Sequence, residues 1–91
     1  MSDRCAITVK IKNRLGLHAR PAMAFVDTAS QFSCSVRILK GEESVDGKSV
    51  MEIMLLAATQ GTELQIHLQG EQAEACGVAL KALVNRGFDE D

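Results

Sequence analysis

His18 and Arg20 stand either side of Ala19 in the run Gly16-Leu17-His18-Ala19-Arg20-Pro21-Ala22, which also contains the only proline of the chain. Proline is tolerated in the first turn of a helix, where no backbone N–H is needed for the ladder, so Pro21 fixes a helix start beside His18. A helix start leaves amide donors without partners and carries the positive end of the helix dipole, which together make an anion site. Arg20 adds a planar cation matched to phosphate oxygens, and the backbone around Ala19 adds donors. An imidazole held against such a cradle is a nucleophile positioned to take up a phosphoryl group. Gly16 is the turn residue that exposes the ring. On residue types alone a second reading stays open, in which His18 only caps the helix and Arg20 is a solvated charge.

Other chemistries find less support. His67 falls on the polar side of a strand with Gln65 and Gln69, and with only two histidines no metal-binding trio forms around either. Cys5, Cys34 and Cys76 are odd in number and widely spaced, which reads as reduced thiols in a cytoplasmic protein with no metal and no cofactor. No Gly-x-Ser-x-Gly motif is present. Gly41 to Ser49 ends like a nucleotide-binding loop, but five residues separate its glycines where that loop has four, and Glu42, Glu43 and Asp46 would repel phosphates. Ten basic and twelve acidic residues give a net charge of −2, and three Phe are the only aromatic side chains, so neither duplex nor single-stranded nucleic acid is an expected partner. The longest purely apolar run, Ile53 to Ala58, is too short to cross a membrane, and the N-terminus lacks a signal-peptide pattern.

The elements that must position His18 follow from periodicity. Ile7, Val9 and Ile11 alternate with Thr8, Lys10 and Lys12; Cys34, Val36 and Ile38 repeat the pattern, as do Leu64, Ile66 and Leu68. Each is a strand with one wet face. Glu43 to Asp46 can pair back on the second of these through a turn at Lys40-Gly41-Glu42. Ala22, Phe25, Val26 and Ala29 form a helical stripe, and Cys76, Leu80, Leu83 and Val84 form another. A shorter helix should begin at Ser49, where Ser49-Val50-Met51-Glu52 is a capping-box pattern. Gly61 and Gly70 flank the last strand, Gly87 ends the last helix, and Asp89-Glu90-Asp91 reads as a solvated tail. At 91 residues the chain has room for one core, so residues 1–91 form one domain. One-sided strands cannot build a sheet covered on both faces. The expected class is α+β: an open-faced β-sandwich, βαββαβα, with a four-stranded antiparallel sheet and three helices on one face.

Gly16 to Ala22 resembles the active-site signature of the HPr family, the histidine phosphocarriers of the bacterial phosphotransferase system, and Gly47-Lys48-Ser49-Val50-Met51 resembles the family's second motif. The order of strands and helices agrees with that family along nearly the whole chain. The resemblance implies a phosphocarrier, not an enzyme, in which His18 carries phosphate on Nδ1 and Arg20 neutralises it. The donor would be an enzyme I type protein charged by phosphoenolpyruvate, the acceptor an enzyme IIA type protein, and the carrier itself a monomer meeting each in transient complexes. The ending Gly87-Phe88-Asp89-Glu90-Asp91 and the Met-rich second helix resemble the nitrogen-related branch, NPr.

Ser49 corresponds to a serine that is phosphorylated in some HPr proteins, although Glu52 in the same turn opposes a phosphate there and the capping role suffices. Val50, Met51, Met54 and Leu55 are more apolar surface than a short core-facing stripe needs. Either all four are core or they form a partner-docking patch in which flexible Met side chains adapt to different surfaces. The rival to the carrier is a regulatory binding module that works irrespective of phosphorylation.

Overall fold

Each strand expected from alternation buries one face and exposes the other. The computed structural model describes residues 3–90, ordered as β1 (Arg4–Lys10), α1 (Ala19–Ala29), β2 (Ser35–Lys40), β3 (Glu43–Asp46), α2 (Val50–Leu55), β4 (Glu63–Gln69) and α3 (Ala73–Asn85), followed by a 3₁₀ turn over Gly87–Asp89. The four strands form one antiparallel sheet in the order β1-β4-β2-β3. β4 lies between β1 and β2, with Ile66 opposite Ile7 on one side and Ile38 on the other. Leu64, Ile66 and Leu68 are buried while Gln65, His67 and Gln69 stay in water, so β4 forms the spine of the core.

The helices cover the buried face of that spine. Ala22, Phe25 and Ala29 of α1 pack inward, as do Cys76, Leu80, Leu83 and Val84 of α3 and Ile53 of α2. The βαββαβα open-faced sandwich is therefore the architecture of this chain. Two details differ from the periodic reading. Cys34 lies just ahead of β2, and Ile11 lies just beyond β1 while remaining 1% exposed.

Two backbone features fix the ground on which His18 stands. Gly16 has φ +72, and a Cβ there would sit 2.3 Å from the Ala58 carbonyl oxygen, so both the left-handed turn and the close passage of the α2–β4 connection require glycine. At the other end of the chain Gly87, Phe88 and Asp89 have φ of 66, 57 and 60 in succession. Phe88 is 6% exposed, so its buried ring anchors this left-handed turn and folds the following residue back over the molecule.

Candidate functional site

His18 is the N-cap of α1, with extended backbone (φ −79, ψ −170) and no side-chain bond to its own helix. Its carbonyl already accepts from Ala22 N–H at 3.0 Å, and its own N–H donates to Gly16 O at 3.0 Å. Pro21 has no N–H to satisfy, which leaves Ala19 and Arg20 as first-turn amide donors without an acceptor among the described residues. Both residues are exposed, so this pair of donors faces solvent at the positive end of an 11-residue helix.

The imidazole is held from the other side by the chain terminus. Its Nε2 lies 3.1 Å from Glu90 Oε1, with side-chain exposures of 37% for His18 and 14% for Glu90. The same Glu90 oxygen accepts from Asn13 Nδ2 at 3.0 Å, and that nitrogen also donates to Gly16 O at 2.8 Å. An ionised carboxylate only accepts, so Nε2 carries the proton and Nδ1 keeps the lone pair. Asn13 is 1% exposed and its Oδ1 finds no partner among the described residues, so what holds the buried amide is the pair of bonds its Nδ2 makes.

Two shallow clefts meet this network. One, of about 300 Å³, is lined by Arg14, Leu15, Arg20, Asp89 and Glu90. The other, of about 260 Å³, is lined by Leu15, Leu17, His18, Met54, Ala57, Ala58 and Thr59. Arg20 thus shares a cleft with Glu90, the carboxylate on the His18 ring. Met51, Met54 and Leu55 are 76%, 44% and 73% exposed, whereas Val50 packs partly against the core. The reading of these four as core side chains therefore fails for three of them. Ser49 Oγ caps α2 by accepting from Glu52 N–H at 3.2 Å, and Glu52 reaches past Ser49 to accept from Asp46 N–H at 3.0 Å.

The sequence matches the family model of the PTS HPr component phosphorylation site over residues 6–86. The chain belongs to the HPr family. Among curated HPr relatives, the phosphocarrier protein HPr of Pseudomonas aeruginosa is 49% identical over 86 residues, covering 93% of this chain and 96% of its own. The phosphocarrier protein NPr of Escherichia coli is 37% identical over 86 residues, covering 92% and 94%. HPr-C-His from Thermoanaerobacter tengcongensis superposes with a TM-score of 0.91 at 40% identity, covering 96% of this chain and 98% of its own. An HPr from the same organism crystallised as a dimer aligns at 0.75 and 41% identity over 90% of this chain and 94% of its own. The chain is accordingly an HPr phosphocarrier of the phosphotransferase system, and its His18 segment lies within the matched residues.

The tail reading requires correction. Glu90 is not a solvated charge but the partner of His18, because three left-handed residues and the Phe88 anchor turn the chain back onto the site. Asp91 lies outside the described residues. Asn13, Arg14 and Leu15 also escaped the sequence reading. Asn13 had a visible signal, since it continues the inward series Ile7, Val9, Ile11 with a polar side chain where an apolar one was due.

Proposed function

We propose that this HPr protein relays a phosphoryl group through Nδ1 of His18 in the cytoplasm, accepting it from an enzyme I type protein charged by phosphoenolpyruvate and passing it to an enzyme IIA type acceptor. The observation that carries the reading is the acceptor-only carboxylate of Glu90 on Nε2, which leaves the other ring nitrogen as the nucleophile. Nδ1 attacks phosphorus as the bond from phosphorus to the donor's leaving group breaks, and the ring keeps its Nε2 proton throughout. Positive charge that develops on the imidazole is met by Glu90. Negative charge on the transferred group is met by the Arg20 guanidinium and by the Ala19 and Arg20 amides. Gly16 and Pro21 hold the geometry, one by its left-handed turn and the other by fixing the first helical turn. Transfer onward is the same step in reverse, so the carrier needs no base of its own.

Met51, Met54 and Leu55, with Val50 at their edge, serve as the docking face next to the ring. A carrier that meets both partners through one face acts as a monomer. The finer assignment, to the nitrogen-regulatory branch, rests on the Gly87-to-Asp91 ending and the Met-rich α2.

Incubation of the pure chain with phosphoenolpyruvate and either the sugar or the nitrogen enzyme I, read by intact mass and acid lability, tests the proposal. One acid-labile phosphate, absent in His18→Ala and acquired faster from the nitrogen enzyme I, is the expected result. No gain with either donor would reject the relay, and a preference for the sugar enzyme I would reject the branch.

A further inference from the structure

Beyond the far end of α1 from His18, three sulfurs gather where the chain enters β2. Cys34 packs against the buried cluster that contains Cys76, close enough for the two thiols to influence each other. Their backbones are held in place by Gln72, whose N–H donates to Ser33 O at 3.2 Å and whose Oε1 accepts from Ser33 N–H at 2.7 Å. Cys76 lies one helical turn above Gln72, with its N–H on Gln72 O at 2.9 Å, so it projects from the side of α3 that Ser33 and Cys34 abut. Lys48 Nζ ties the same segment from below by donating to Phe32 O at 2.9 Å. Cys5 Sγ approaches the next residue of α3, 3.2 Å from where a Cβ on Gly77 would stand. Cys76 is fully buried, while Cys34 and Cys5 keep partial access to solvent.

We propose that Cys34 and Cys76 are a modification site, an oxidisable dithiol that a peroxide converts to a disulfide and a small thiol reductant restores. Cys34 is the sulfur that meets the oxidant. Burial and then the neighbouring Cys34 thiol push the Cys76 thiol up to about 12, so Cys76 remains protonated at neutral pH and does not compete for peroxide. In the first step Cys34 sulfur attacks one peroxide oxygen, the O–O bond breaks, and Cys34 becomes a sulfenic acid as water leaves. In the second, Cys76 sulfur attacks Cys34 sulfur, the S–O bond breaks, and the departing hydroxide takes the Cys76 proton as a second water. Two thiols and one hydrogen peroxide thus give one disulfide and two waters. The bridge joins the entry of β2 to α3, two segments that Gln72 already holds together through its pair of bonds to Ser33.

The test oxidises the reduced, full-length chain at low micromolar concentration with hydrogen peroxide and maps it without reduction. Trypsin leaves Cys5, Cys34 and Cys76 on separate peptides, residues 5–10, 15–37 and 49–81. The expected product is a cross-link between the second and third peptides with loss of two hydrogens, together with a rise in Tm of at least about 5 °C that dithiothreitol reverses. Cys5→Ala should retain the cross-link, and Cys76→Ala should divert Cys34 to sulfinic and sulfonic acid. A cross-link through Cys5, or irreversible oxidation of Cys34 in the unmodified chain with no cross-link, would overturn the proposal.

Discussion

Glu90→Gln isolates what the terminal carboxylate does for the ring, because the replacement keeps the shape and changes only which way hydrogen bonds can run. At 3.1 Å, and with the carboxylate only 14% exposed, the wild-type contact is a charge-assisted bond. Such bonds contribute about 1.5–3 kcal/mol against about 1 kcal/mol for a neutral pair. The tautomer with its proton on Nδ1 would lose that bond and set a lone pair against a carboxylate oxygen. It should therefore fall below about one part in ten of the neutral ring, since 1.4 kcal/mol is tenfold. A glutamine amide can accept from an Nε2 proton or, turned over at the cost of the Asn13 bond, donate to an Nε2 lone pair, so it selects the tautomer more weakly than the carboxylate does. Long-range proton–nitrogen correlation spectra of the neutral His18 ring read the two nitrogens directly. The wild type should show one protonated and one bare nitrogen, with the bare one Nδ1, and Glu90→Gln should show both shifts moved toward the average of the two tautomers. Phosphorylation should slow by roughly 3–10-fold, in line with a lost bond of ~1 kcal/mol or a little more at a half-exposed site. A wild-type ring protonated on Nδ1, or a variant spectrum identical to it, would refute the argument.

Gly16→Ala should destabilise the chain by about 2–4 kcal/mol in urea unfolding, because a left-handed backbone and a Cβ driven into the Ala58 carbonyl both oppose it. Met51→Asp, at a side chain 76% exposed, should leave stability within about 0.5 kcal/mol yet slow phosphoryl exchange with either partner; unchanged exchange would remove α2 from the docking face. The raised Cys76 thiol sets a pH dependence in reducing buffer. Its folded value of about 12 lies above the ordinary thiol value of 9.0, so its contribution is complete below pH 9 and is lost as pH climbs toward 12. Each unit in that window costs up to about 1.4 kcal/mol, and the slope attributable to this group should vanish in Cys76→Ala.

The sheet was legible because β4 alternates without a break from Leu64 to Gln69 and its neighbours repeat the rule. His18 was legible because Pro21 announces a helix start within reach of it, and α2 because Ser49 and Glu52 announce a cap. What stayed hidden depends on long-range closure. The Glu90 contact spans 72 residues and needs three left-handed residues in a row, two of them not glycine, a conformation that local propensity argues against. The meeting of Cys34 with Cys76 likewise depends on how α3 crosses the entry to β2, which the spacing of cysteines along the chain does not encode. Exposure of Met51 and Leu55 was undecided in the sequence because a six-residue helix is too short for its stripe to reveal which side faces the core.

The relay turns on one atom, Nδ1 of His18. A chain labelled with nitrogen-15 in its imidazole rings, phosphorylated through enzyme I and held at alkaline pH, can be read by phosphorus–nitrogen coupling. Coupling to Nδ1 of His18 alone, with Nε2 still protonated, is the predicted result; coupling to Nε2, to His67, or to no ring nitrogen would contradict it.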